Sequence, residues 1–159
     1  MSKFKPAGEE IQQLVIDVAN ELNFANFGLD FEALSVDKAK EVCTVQRASK
    51  VTQYLSKRDD LVLVICFEEA FDMADDAMKY MWIRTAMEKI VCDYEKNKFS
   101  LDAPTVTVPL SVLDKYGNDV PVNAAKVALH TIAQIEDKRK QEKAEKDALK
   151  TKGKKKKNF

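Results

Sequence analysis

Seven consecutive apolar residues, Leu61 to Phe67, follow the charged stretch from Lys57 to Asp60. A run this short, rich in β-branched side chains and without polar alternation, is the pattern of a strand in the middle of a sheet, covered on both faces. Such a strand needs neighbours on each edge and helices to cover it.

The periodicity elsewhere supplies candidates. Ile11, Leu14, Val15, Val18 and Leu22 recur at spacings of three and four behind the acidic opening Glu9 and Glu10, which predicts an amphipathic helix. Phe31 to Val36 reads as a short strand after the break at Asn26 to Gly28. Glu41 to Arg47 fits a strand, although residues 39–54 taken together also fit a helix. Glu68 to Asp76 reads as an acidic connection, and a helix is expected from Ala74 to Ile90. Its core stripe is Tyr80, Ile83, Met87, Ile90 and Val91, and a second face carries Met78, Met81, Thr85 and Lys89.

Residues 91–94 and 99–101 are expected to pair as a hairpin, with Asn97 in the turn. Pro104 and Pro109 exclude a regular element across 102–109, and Leu110 to Tyr116 predicts a short helix stopped by Gly117. A last helix is expected after Pro121, striped by Val122, Ala125, Ala128, Leu129, Ile132 and Ile135, its solvated extension reaching about Lys150. The fold class expected is α+β: a short sheet flanked by helices, folded over residues 1–135, with a charged helical extension and disordered basic tail over 136–159.

The formal charge of zero conceals a split. Residues 136–159 hold eleven Lys or Arg against five Asp or Glu, a net of +6, which leaves −6 on residues 1–135. An acidic body with a basic arm suggests an anionic partner. The run Lys154 to Lys157 has no arginine or interleaved aromatic residue, so it can neutralise phosphates but cannot read a base sequence. A solubilising end is the plainer reading of the same residues.

Much chemistry is excluded by what the chain contains. His130 is the only histidine, so neither a multi-histidine metal site nor a histidine pair is available. Cys43, Cys66 and Cys92 are odd in number, widely spaced and set in apolar stretches, and they read as reduced core residues. Gly8, Gly28, Gly117 and Gly153 never approach a phosphate-cradling spacing. The acidic cluster Glu68, Glu69, Asp72, Asp75 and Asp76 lacks the ordered spacing and central glycine of a calcium loop, and helix-start electrostatics explain it. No apolar run reaches the roughly 18 residues of a membrane span, and Met1 to Gly8 is too polar for a signal peptide.

From residue 60 to 117 the chain carries, in order, Asp60-Leu-Val-Leu-Val-Ile-Cys-Phe67, Glu68-Glu-Ala-Phe71, the helix to Ile90, Asp93-Tyr-Glu-Lys-Asn97, Phe99-Ser-Leu101, Ala103-Pro-Thr-Val106 and Leu113-Asp-Lys-Tyr-Gly117. This order and spacing resemble the phage metallopeptidase family of small zincin-like domains. In that family a buried strand leads to a helix bearing His-Glu-x-x-His, then a hairpin and a short helix ending in Tyr-Gly. The resemblance covers about half of the chain.

Counted back from Ile90, the family's pentapeptide falls on Thr85, Ala86, Met87, Glu88 and Lys89. Thr85 and Lys89 then stand at the histidine positions and Ala86 at that of the catalytic glutamate, while Pro104 or Thr105 falls where the downstream ligand would be. Zincin chemistry needs imidazoles at i and i+4 with a carboxylate to activate water, and Lys89 would repel a divalent metal. The resemblance thus implies a pseudoenzyme with no metal and no cofactor.

The expectation that follows is a non-enzymatic phage accessory protein in the host cytoplasm, binding a host or phage protein, with no small-molecule substrate. Met81, Thr85 and Lys89 are the candidate contact residues on the body, joined by Lys152, Lys154, Lys155, Lys156 and Lys157 in the tail. A methionine-bearing face is an adaptable contact surface, although the first reading of Met73, Met78, Met81, Trp82 and Met87 is as core. The alternative is non-specific nucleic-acid binding through the lysine-rich tail.

Overall fold

The computed structural model describes residues 1–155. Residues 1–104 form one compact unit, and the described residues from 105 onward form a second.

The first unit holds a four-stranded sheet in the order β1-β2-β4-β3, built from β1 (Phe4–Pro6), β2 (Asp30–Val36), β3 (Cys43–Arg47) and β4 (Leu61–Phe67). The apolar run is β4, and it lies between a parallel β2 and an antiparallel β3. β1 closes the β2 edge, antiparallel, and contains Pro6, which an edge strand tolerates because one side of it makes no ladder bonds. The helices of this unit are α1 (Glu9–Glu21), α2 (Phe24–Phe27), α3 (Lys50–Ser56), α4 (Glu68–Met73) and α5 (Asp76–Met87). A hairpin of β5 (Val91–Asp93) and β6 (Lys98–Ser100) follows. Asn97 takes the left-handed conformation in its turn, at φ 51°.

The α+β class expected from the sequence is the class observed. Period-two alternation sorts the sheet residues: Ala33, Cys43, Val62, Val64 and Cys66 share one face and enter the core with Val15 and Val18 of α1 and Ile83, Ala86 and Met87 of α5. Leu34, Leu63, Ile65 and Phe67 point the other way, remain half-buried and lie outside that core. Leu61 and Val36 at the two ends of that second face are themselves only 2% exposed, so β4 is buried fully against α1 and α5 on one face and in part on the other.

Three further differences have local causes. Glu68 to Met73 is a helix rather than a connection, its two leading glutamates favouring the positive end of a helix dipole. The ambiguous 39–54 segment divides into strand β3 and helix α3, separated where Ser49 caps α3 by accepting from the Thr52 N–H. Val91, expected in the helix stripe, begins β5 and is exposed.

Arg58 anchors the turn before β4. Its guanidinium grips the Asp30 carboxylate at 2.5 and 2.8 Å, reaches Glu32 at 2.5 Å and donates to the Phe31 carbonyl at 2.7 Å. The hairpin is tied to β3 by Arg47, which donates to the Phe99 carbonyl and lies 4.0 Å over the Phe99 ring.

The second unit contains α6 (Leu110–Tyr116), ended by Gly117, and α7 (Asp119–Lys155), against which α6 packs. The boundary expected at 135/136 does not mark a break, because Ile135 and Glu136 lie within one uninterrupted helix and a change of charge does not stop a helix. Compactness changes instead at the proline-containing segment 102–109, which has no regular structure. The stripe expected on this helix is largely open: Leu129, Ile132 and Ile135 are exposed on α7, while Val122 and Ala125 are half-buried. The helix also passes the expected end near Lys150 and continues to Lys155. No helix among the described residues is long and apolar enough to cross a membrane.

Candidate functional site

Helix α5 starts where Asp75, at its N-cap, accepts a hydrogen bond from the Met78 N–H at 2.8 Å. Its inner side, Ile83, Ala86 and Met87, is fully committed to the core. Arg84 fixes the rotation of the helix further, donating to Glu21 of α1 and to the Tyr80 hydroxyl at 2.8 Å each. The residues about half a turn around the helix from these, Met81 and Thr85 among them, therefore face outward.

On that outer side Met78 and Met81 are exposed, and Met73 at the end of α4 is 84% exposed. Trp82 stands half-buried between them, its ring 5.5 Å from the Phe71 ring that backs it from the core. Two open grooves share Trp82 as a wall. One, of about 430 Å³, is lined mainly by Ala70, Met73, Ala74, Met78 and Trp82. The other, of about 340 Å³, runs between Glu41, Val42 and Cys43 on one side and Trp82, Thr85 and Lys89 on the other.

Of the residues singled out in the sequence, Thr85 and Lys89 come together in the second groove, with the Lys89 ammonium 4.0 Å from the Glu41 carboxylate. Met81 shares the outer face of α5 but lines neither groove. Met87, placed in the core stripe of this helix by its spacing, is completely buried. Trp82, Met73 and Val42 complete the surface. The methionine cluster pointed to the first two, whereas Val42 is brought in by the pairing of β3 with β4, which no local pattern encodes. Lys156 and Lys157 lie outside the described residues, as do the side chains of Lys152, Lys154 and Lys155.

Cys43 lies beneath the second groove and directly opposite Cys66 across the β3–β4 pair, both as buried free thiols. Hydrogen bonding to the Cys66 thiol and burial push the Cys43 thiol well above its ordinary range, outweighing the pull of nearby Lys89. Cys43 is thus a poor nucleophile. Among the described residues no three His, Cys, Asp or Glu side chains stand together as a potential metal-binding group, and His130 is exposed on α7. Comparison with family models, curated proteins and solved structures finds no match to this chain.

Proposed function

We propose that this chain is a non-enzymatic binding protein whose outer α5 surface docks a protein partner. The observation that carries the reading is the exposure of Met78 and Met81 beside Trp82 on a helix whose opposite side is locked into the core, with the exposed Met73 of α4 lining the same groove as Met78 and Trp82. Methionines are flexible and polarisable, and they fit irregular apolar anchors at little steric cost. A half-buried tryptophan between two grooves is the residue type that most often concentrates binding energy. The resemblance to phage metallopeptidases supplies the setting: a phage accessory protein acting in the cytoplasm of the infected host, with Thr85, Ala86 and Lys89 in place of zinc chemistry.

The test is affinity purification from infected cells, with and without nuclease, using the full chain and a Met78→Glu/Met81→Glu variant. The reading expects a protein that survives nuclease and is lost with the variant. Both substitutions lie on the surface, so their effect on stability should stay within about 0.5 kcal/mol. Recovery of nucleic acid alone, equal for both proteins, would favour binding through the basic stretch 136–159 instead, where the net charge is +6.

A further inference from the structure

The apolar stripe of α7 consists of Val122, Ala125, Ala128, Leu129, Ile132 and Ile135, all on one side of the helix. α6 packs against α7, and Val122 and Ala125 are half-buried. The rest of the stripe is open, with Ile132 56% and Ile135 46% exposed.

The same stretch is depleted of charge. Between Val122 and Ile135 only Lys126 is charged, whereas eleven of the fifteen residues 136–150 are. A helix bathed in water along its whole length gives no reason for this change. The middle of a helix–helix contact does, because charged groups would lose their hydration there.

The stripe is also its own complement. Its spacings of 3, 3, 1, 3 and 3 residues read the same in both directions. Laid antiparallel on a second copy, about the point between Ala128 and Leu129, it sets Ala128 level with Leu129, Ala125 with Ile132 and Val122 with Ile135. Such reciprocal pairing is what a two-fold axis requires, and a smaller side chain level with each larger one lets the helices interdigitate.

Charge selects the direction. Residues 138–159 hold eleven Lys or Arg against three Asp or Glu, a net of +8. Parallel helices would set two such arms side by side, at a cost in like-charge repulsion. Antiparallel helices send the arms to opposite ends and bring Asp119, in the first turn of one helix, level with Lys138, Arg139 and Lys140 of the other.

We infer that α7 pairs antiparallel with α7 of a second copy of this chain, through the Val122 to Ile135 stripe, to form a two-fold dimer. This contact is independent of the outer α5 surface.

Sedimentation equilibrium of the full chain across roughly 1–300 µM should show a monomer–dimer association. Ile132→Glu places a carboxylate on the stripe of both copies and should weaken association at least about tenfold. Val127→Glu carries the same glutamate on the opposite side of the helix, at a position 62% exposed, and should associate like the parent. Direction is read by electron–electron distance measurement on the dimer, with nitroxides on Lys140→Cys in a Cys92→Ser background, since Cys43 and Cys66 are buried. At about 1.5 Å of rise per residue the antiparallel register holds the two labels about 35 Å apart, and a parallel pair within about 15 Å. The inference is overturned if the chain stays monomeric throughout, if Ile132→Glu associates as well as the parent, if Val127→Glu loses as much as Ile132→Glu, or if the labels lie within about 15 Å.

Discussion

The unequal covering of the two sheet faces can be tested by comparing two isoleucines. Ile83 on α5 is completely buried between helix and sheet, whereas Ile65 on β4 points to the half-buried face outside the core. Truncation to alanine removes three carbons in each case. At about 0.8 kcal/mol per buried methylene, full burial makes that loss roughly 2.4 kcal/mol for Ile83. The enclosed void left behind raises it to about 3–4 kcal/mol, within the usual range for buried large-to-small changes. Ile65 gives up about half the transfer term and leaves no enclosed void, so Ile65→Ala should cost about 1 kcal/mol. Urea unfolding followed by Trp82, the only tryptophan, reports on the unit that contains both residues. Midpoints multiplied by a common slope give the two costs. Equal costs, or a larger cost for Ile65→Ala, would mean that the second face of the sheet is as enclosed as the first at Ile65, and the distinction between a fully and a partly covered face would fail.

Arg58→Ala should cost about 1 kcal/mol at neutral pH, since its partners are partly solvated. The Arg58 guanidinium holds the Asp30 carboxyl below its usual range, so this contribution is present above the unfolded value near pH 4 and fades as pH falls through the folded value; a cost that grows on acidification would contradict the pairing. With iodoacetamide at pH 8 the half-buried Cys92 should be alkylated before the buried Cys43 and Cys66, as read by peptide mass spectrometry, and equal rates at Cys43 and Cys92 would contradict the buried pair. Gly117 ends α6 at φ 76° with open space around it, so Gly117→Ala should cost about 1–3 kcal/mol through backbone strain alone. Hydrogen exchange at residues 113–117 should quicken, and unchanged protection there would show that the turn relaxes freely.

Elements with a strong local period were legible in the sequence: α1 from its spacing of three and four, β4 from its unbroken apolar run, and α6 from Gly117. β1 carries no such signal, because three residues including a proline have no period, and only pairing with β2 makes them a strand. The same limit applies to the sites. The methionines and Trp82 announced an unusual α5, and Thr85 with Lys89 did fall in one groove. The burial of Ser35 opposite Lys5 likewise depends on the register between β1 and β2, thirty residues apart in the chain, which no local pattern encodes. The stripe on α7 shows the opposite failure: periodicity specifies an apolar face but not what covers it.

The two sides of α5 obey different constraints, and that division bears on how the surface can act. Ile83, Ala86 and Met87 are held by the sheet and by α1, and Arg84 is held by Glu21, so the helix cannot rotate without losing core contacts. Met78, Met81 and Thr85 contribute little to that packing and are presented at fixed positions. A partner meeting this face would not have to order the backbone, which removes a large entropic cost of association, while the methionine side chains can still adjust their rotamers to its shape. Lys89 extends the face at its far end, 4.0 Å from the Glu41 carboxylate in a solvent-exposed pair. What the groove offers a partner is therefore mainly apolar surface, framed by one opposite-charge pair.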